Sequence, residues 1–231
     1  MTFLTPWRPD TVLCIILFAA ALTTKSWAVA QDVYAYRERT GDEQQIDYTW
    51  SLEQRNELFI ISSIQPKKQF QTVCTADGAT LSWTVQKSNG ERMTARREGN
   101  TVHLFGTMDG STIDQKITID ARPWFQPLSF SLRSMATGIQ TEQNFWIIRP
   151  DNFELVTLKA DKKDCQQSVI EDKMDDICEV EIKKSGWLGA FWHASYWFRK
   201  SDGLFVEYRG VHGLPGTSET IIELIQESRK K

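Results

Sequence analysis

The chain holds three histidines and four cysteines, and their spacing decides what chemistry is available. His103 falls in a short alternating segment and His212 in a glycine-rich turn, Gly210-Val211-His212-Gly213. His193 sits among aromatics in Phe191-Trp192-His193-Ala194-Ser195-Tyr196-Trp197-Phe198. None has a second His or Cys at the spacing that places two ligands on one side of a strand or helix, so no metal centre is expected. Each reads as a structural or surface histidine. Asp161, Asp164, Glu171, Asp172, Asp175 and Asp176 form an acidic stretch without the central glycine of a calcium loop, and read as a solvated hairpin tip. Ser129 lies at a helix start, and no nucleophile elbow, phosphate loop or dinucleotide fingerprint occurs. These patterns predict a protein that is not an enzyme and takes no cofactor.

The first thirty residues predict where the chain works. Arg8 precedes an apolar run from Thr11 to Leu22, and Ala28-Val29-Ala30 then meets the polar Gln31. Charge, apolar core and Ala-x-Ala in that order make a secretory signal peptide, cleaved after Ala30. The run is shorter than the roughly 20 apolar residues that span a bilayer, and no transmembrane segment is expected in the mature chain. Residues 31–231 are long enough for a single domain with a real core. A net charge of −3 with mixed signs argues against a nucleic-acid partner, and Arg96-Arg97 reads as a solvated face. Asn-x-Ser/Thr is absent, which favours a bacterial periplasm.

Removal of that segment leaves Cys74, Cys165 and Cys178, an odd number. Cys165 and Cys178 flank the acidic stretch and can face each other across a hairpin. An oxidising compartment suits a bridge there, while three small buried hydrophobes suit the same spacing. Cys74, in Phe70-Gln71-Thr72-Val73-Cys74, reads as a core thiol.

Period-2 alternation recurs almost throughout, from Val33-Tyr34-Ala35-Tyr36 to Thr217–Ile225. Asp77-Gly78, Asn89-Gly90 and Asp109-Gly110 supply hairpin turns, so successive strands are expected to be antiparallel neighbours. Ala121 to Gly138 interrupts this pattern. Pro127 there precedes Leu128, Leu132 and Met135 at helical spacing, and Gly138 stands where the helix should stop. The predicted fold is mainly β: a large bent antiparallel sheet of about a dozen strands, a half-barrel, with one short helix in its concave face. A closed sandwich is the alternative. Aromatics on both faces of Phe191–Phe198 predict a strand covered on both sides.

Gln126-Pro127-Leu128-Ser129-Phe130-Ser131-Leu132-Arg133 resembles the helix of an uncharacterised family of exported bacterial proteins, a domain of unknown function. Tyr196-Trp197-Phe198-Arg199-Lys200-Ser201-Asp202-Gly203-Leu204 resembles that family's tryptophan strand and acidic turn. Gln126 stands where the family has Asp, and Phe205 where it has Pro after Gly-Leu. The resemblance implies a half-barrel similar to that of the periplasmic lipoprotein carriers, and no activity. On this basis the concave face is expected to bind a hydrophobic ligand such as a lipid or acyl chain. Leu128, Leu132, Met135, Trp146, Trp192 and Trp197 are its expected lining. The competing expectation is an interaction module with a filled core, whose free strand edges pair with another envelope protein.

Overall fold

The hairpin turns fix the topology of the computed structural model, which describes residues 31–42, 45–150, 152–170, 173–184, 193–211 and 218–229. Residues 1–30, Trp192 and His212 lie outside the described residues, so the expected signal peptide falls outside them too. Eight strands come first: β1 (Gln31–Thr40), β2 (Ile46–Arg55), β3 (Leu58–Ile64), β4 (Lys68–Thr75), β5 (Thr80–Lys87), β6 (Arg92–Glu98), β7 (Thr101–Met108) and β8 (Ser111–Thr118). Two helical turns follow, α1 (Leu128–Ser131) and α2 (Arg133–Thr137). Six strands complete the chain: β9 (Glu142–Ile148), β10 (Leu155–Ile170), β11 (Lys173–Lys184), β12 (His193–Arg199), β13 (Phe205–Val211) and β14 (Glu219–Ser228).

All 14 strands form one antiparallel sheet in the order β8 through β1, then β14 down to β9. Pairing of β1 with β14 sets the first and last strands side by side in mid-sheet. The segment between β8 and β9 therefore joins the two outermost strands, and it carries the helix. The helix is shorter than its spacing suggests and breaks at Leu132. Its start, Pro127, makes no side-chain cap, and Ser129, Phe130 and Ser131 are indifferent helix formers.

Alternation assigns each side chain to a face. Tyr34 stands opposite Trp50, Leu52 opposite Ile61, and Ile61, Thr72, Trp83, Ala95 and Leu104 stand opposite one another in turn, which marks the inner face of β1–β7. One core lies between the inner face of β1–β4, the helix, and the inner face of β9–β14 (Phe145, Leu158, Val180, Phe198). A second core packs the inner face of β5–β8 against Ile148, Trp146 and Leu155. Those three lie on the other side of β9 and β10 from Phe145 and Leu158, because Leu155 faces Ile148 while Leu158 faces Phe145. The sheet is thus rolled past a half-barrel: β5–β8 overlap the back of β9 and β10. Trp83 and Phe153, 6.2 Å apart between ring centroids, meet across this overlap.

Two expectations need correction. The acidic stretch is not one hairpin tip: Asp161 and Asp164 lie within the 16-residue β10, and Asp175 and Asp176 within β11. Asp161 pairs with Lys183 and Asp176 with Lys200, so these two carboxylates are paired rather than gathered at a loop; Glu171 and Asp172 lie outside the described residues. Nor is Trp197 buried under a second layer. Tyr196 and Phe198 supply inner-face aromatics, while Trp197 is half-buried on the outer face under the Arg209 guanidinium, 5.7 Å from its ring centroid.

Candidate functional site

The concave face was the expected site, and its chemistry follows from how the helix sits there. Leu128, Phe130, Leu132 and Met135 are 5, 0, 0 and 1% exposed. They pack among Tyr36, Trp50, Ile61, Phe145 and Phe198, so the volume a ligand would use is occupied by the chain itself. Lifting the helix out would re-expose four large side chains, at about 1.5–3 kcal/mol each, roughly 6–12 kcal/mol in all. A state that costly is populated on the order of once in ten thousand molecules or less.

Contacts from Gly78, Gly203 and Lys162 also hold the helix. Gly78, in the β4–β5 turn, has φ +87°, and a Cβ there would lie 2.7 Å from the Ser131 carbonyl oxygen. Gly203, in the β12–β13 turn, has φ +70°, and its Cβ would lie 3.1 Å from the Arg133 Cβ. Both turns need a residue that accepts positive φ and lacks a side chain, because the helix backbone or stem fills the space. The Ser131 hydroxyl donates to the Gly78 carbonyl at 2.7 Å, and Lys162 Nζ donates to the carbonyls of Ala136 and Gly138 at 2.9 and 2.8 Å. That lysine satisfies carbonyls a helix end leaves open.

The connector leading into the helix is as firmly tied. Phe125 N–H donates to the Trp146 carbonyl and Trp146 N–H to the Pro123 carbonyl, each at 2.8 Å, which covers the edge of β9. Gln126 is buried, and its side-chain amide pairs with both backbone groups of Ile148 at 3.2 Å. It extends a strand ladder rather than capping the helix, which explains how Gln serves where the resembled family has Asp.

Of the six expected lining residues, the five that are described do not all converge. Leu128, Leu132 and Met135 share the first core, as their spacing implied. Trp146 faces the second core; its indole N–H donates to Asp120 at 2.9 Å and the Arg122 guanidinium lies 4.5 Å from its ring centroid. Trp197 is on the outer face, and Trp192 is outside the described residues. Period-2 alternation says that neighbouring residues take opposite faces without saying which face is inside.

Cys165 and Cys178 are directly opposite in register and joined by a disulfide. Cys74 is fully buried, and burial pushes its thiol up to about 12, against smaller opposing effects of Thr80 and Arg133. His103 is held by Asp114 at 2.6 Å on the outer face, and His193 is exposed. Among the described residues no group of His, Cys, Asp and Glu is placed to hold a metal ion. A groove of about 410 Å³ lies elsewhere, on the outer face of β6 and β7, lined by residues that include Arg92, Arg96 and Phe105.

Two polar groups at the interior were not legible in the sequence. Arg133 stacks its guanidinium 4.0 Å from the Phe130 ring centroid and 4.7 Å from that of Phe59, with no carboxylate partner among the described residues. Burial lowers its pKa below the ordinary arginine value, only partly offset by Cys74 and Tyr34. The Trp50 indole nitrogen is buried without a hydrogen-bond partner.

No protein-family profile matches the chain, and no curated protein matches it. Solved structures do. The fold is similar to that of a beta-barrel-like protein of domain of unknown function DUF1849 from Brucella abortus. At 10% identity the likeness covers 87% of this chain and 98% of that one, with a TM-score of 0.57. The hypothetical lipoprotein YmcC from Escherichia coli matches at 14% identity over 84% of this chain and 88% of its own, with a TM-score of 0.40. A LolA superfamily protein from Nitrosomonas europaea matches at 7% identity over 88% and 86%, with a TM-score of 0.25. The Brucella likeness shows a shared architecture, the one the sequence resemblance implied; the other two overlay too loosely to add to it.

Proposed function

We propose that this is an exported envelope protein, not an enzyme, that works as an interaction module through its surface and keeps its interior permanently filled. The observation that carries this reading is the helix: four buried apolar side chains occupy the concave face, and Gly78, Gly203 and Lys162 hold them there. A carrier needs that space empty or cheaply emptied, and here emptying it costs roughly 6–12 kcal/mol before any ligand enters. Export is supported by residues 1–30 and fits the Cys165–Cys178 disulfide.

A second reading, a hydrophobic ligand with an anionic head, is favoured by the unpaired Arg133 guanidinium and the unsatisfied Trp50 indole. Native mass spectrometry of the protein purified from a bacterial periplasm, before and after organic extraction, separates the two. A clean protein mass is expected. A stoichiometric lipid adduct would overturn the filled-interior reading in favour of the second. Leu132→Glu complements this, because burying a carboxylate in the first core should abolish cooperative unfolding. Unchanged melting would show that the helix leaves the core freely.

A further inference from the structure

β8 is the outer strand of the sheet, and among the described residues no segment pairs with its far side. Its sequence from Thr112 to Thr118 is Thr-Ile-Asp-Gln-Lys-Ile-Thr, in which Thr and Ile repeat symmetrically about Gln115 and the charges on its two sides are opposite. We infer that two copies of this chain pair β8 with β8 about a twofold axis at Gln115, extending one antiparallel sheet across the dimer. This names the partner for the interaction module proposed above and rests on that reading.

The backbone geometry allows this register. Ile119 N–H donates to the Asn100 carbonyl at 2.8 Å, and the β7–β8 ladder continues from there without a shift. Odd-numbered residues of β8 therefore turn their backbone groups toward β7, and Thr112, Asp114, Lys116 and Thr118 turn theirs outward. An axis at Gln115 sets Asp114 opposite the second copy's Lys116 and Thr112 opposite its Thr118, so each outward N–H and C=O meets a partner. Ile113 then faces the second copy's Ile117 on the inner side, where both already border the second core.

Charge selects the same register. Asp114 and Lys116 side chains are 76 and 63% exposed on the outer face, bonded only to His103 and Glu98 of their own chain. An axis at Asp114 would place two aspartates together, and one at Lys116 two lysines; only Gln115 makes both contacts complementary. A lone lysine on an edge discourages pairing. Here it rejects other edges and accepts this one. The contact is a single strand long, so the dimer is of the weak class.

The test is sedimentation equilibrium of the purified protein up to about 200 µM, a range that captures a weak dimer. A concentration-dependent dimer is expected for the native sequence. D114K and K116D each put two like-charged pairs at the axis and should weaken association about tenfold or more. An equimolar mixture of the two restores complementarity and should dimerise, which no loss of folding can imitate. Lys116→Pro removes an outward N–H that β7 does not use, and should give a folded monomer. A native protein that stays monomeric, or variants that dimerise unchanged, would overturn the inference. A lipid adduct in the mass spectrum would instead overturn the module reading, so the two failures are distinguishable.

Discussion

Gly78 and Gly90 offer a direct measure of how tightly the helix is held. Their backbones are nearly the same, φ +87° and +91°, and both sit in hairpin turns. Alanine at either position meets the left-handed penalty of about 1–2 kcal/mol, reduced by roughly 0.4–1 kcal/mol through the stiffer unfolded chain. For Gly90→Ala nothing else changes, because nothing lies within 4 Å of the added Cβ. For Gly78→Ala the Cβ lies 2.7 Å from the Ser131 oxygen and 2.8 Å from its Cα, both backbone atoms that no side-chain rotation can move. The whole of α1 must retreat, and overpacking of that kind costs about 1–3 kcal/mol more. Gly90→Ala should therefore lose about 1 kcal/mol and Gly78→Ala about 2–4 kcal/mol. In a domain of this size those losses lower Tm by roughly 3 °C and 5–15 °C. Urea titration followed by tryptophan fluorescence, at constant m, reads both. Equal losses at the two sites would refute the clamp and, with it, the argument that the helix is fixed core.

Three further outcomes follow from the disulfide, the buried thiol and the ionic contacts. Replacing Cys165 and Cys178 by serine, or reducing them, should destabilise the protein by about 3 kcal/mol, from the 13-residue separation they close. In the same samples Cys74 should resist alkylation at pH 8 until the chain unfolds, because burial holds its thiol near 12; rapid labelling of the native protein would contradict its burial. Asp202 is partly buried, which raises its pKa, but Arg199, Arg229 and the Leu204 N–H outweigh this and hold it at about 2. A depressed carboxylate contributes stability that is present above its unfolded value and lost as pH falls from about 4 to about 2. Solvent screening limits this to about 1 kcal/mol, so Asp202→Asn should flatten that part of the pH–stability curve by that amount. An unchanged acid limb would show that the Arg199 pairing contributes nothing.

What the sequence determined by itself is what depends on neighbours in the chain. Alternation located the strands, and Asp77-Gly78, Asn89-Gly90 and Asp109-Gly110 marked turns that do join consecutive antiparallel strands. The spacing of Leu128, Leu132 and Met135 marked the helix, while the placement of Cys165 and Cys178 across a hairpin left open whether they bridge, which the structure settles. Tertiary structure decided which face of each strand lies inside. Trp146 and Trp197 alternate correctly with their neighbours, yet one faces the overlap of β5–β8 on β9 and the other faces solvent and Arg209. A period of two fixes relative sides only, and rolling the sheet past a half-barrel gives β9 an apolar environment on both faces. The fit of Gly78 and Gly203 against the helix, and the stacking of Arg133 on Phe59, likewise join residues distant in sequence. Such contacts exist only once the sheet has curled, which is why the filled interior belongs to the fold and not to any segment of it.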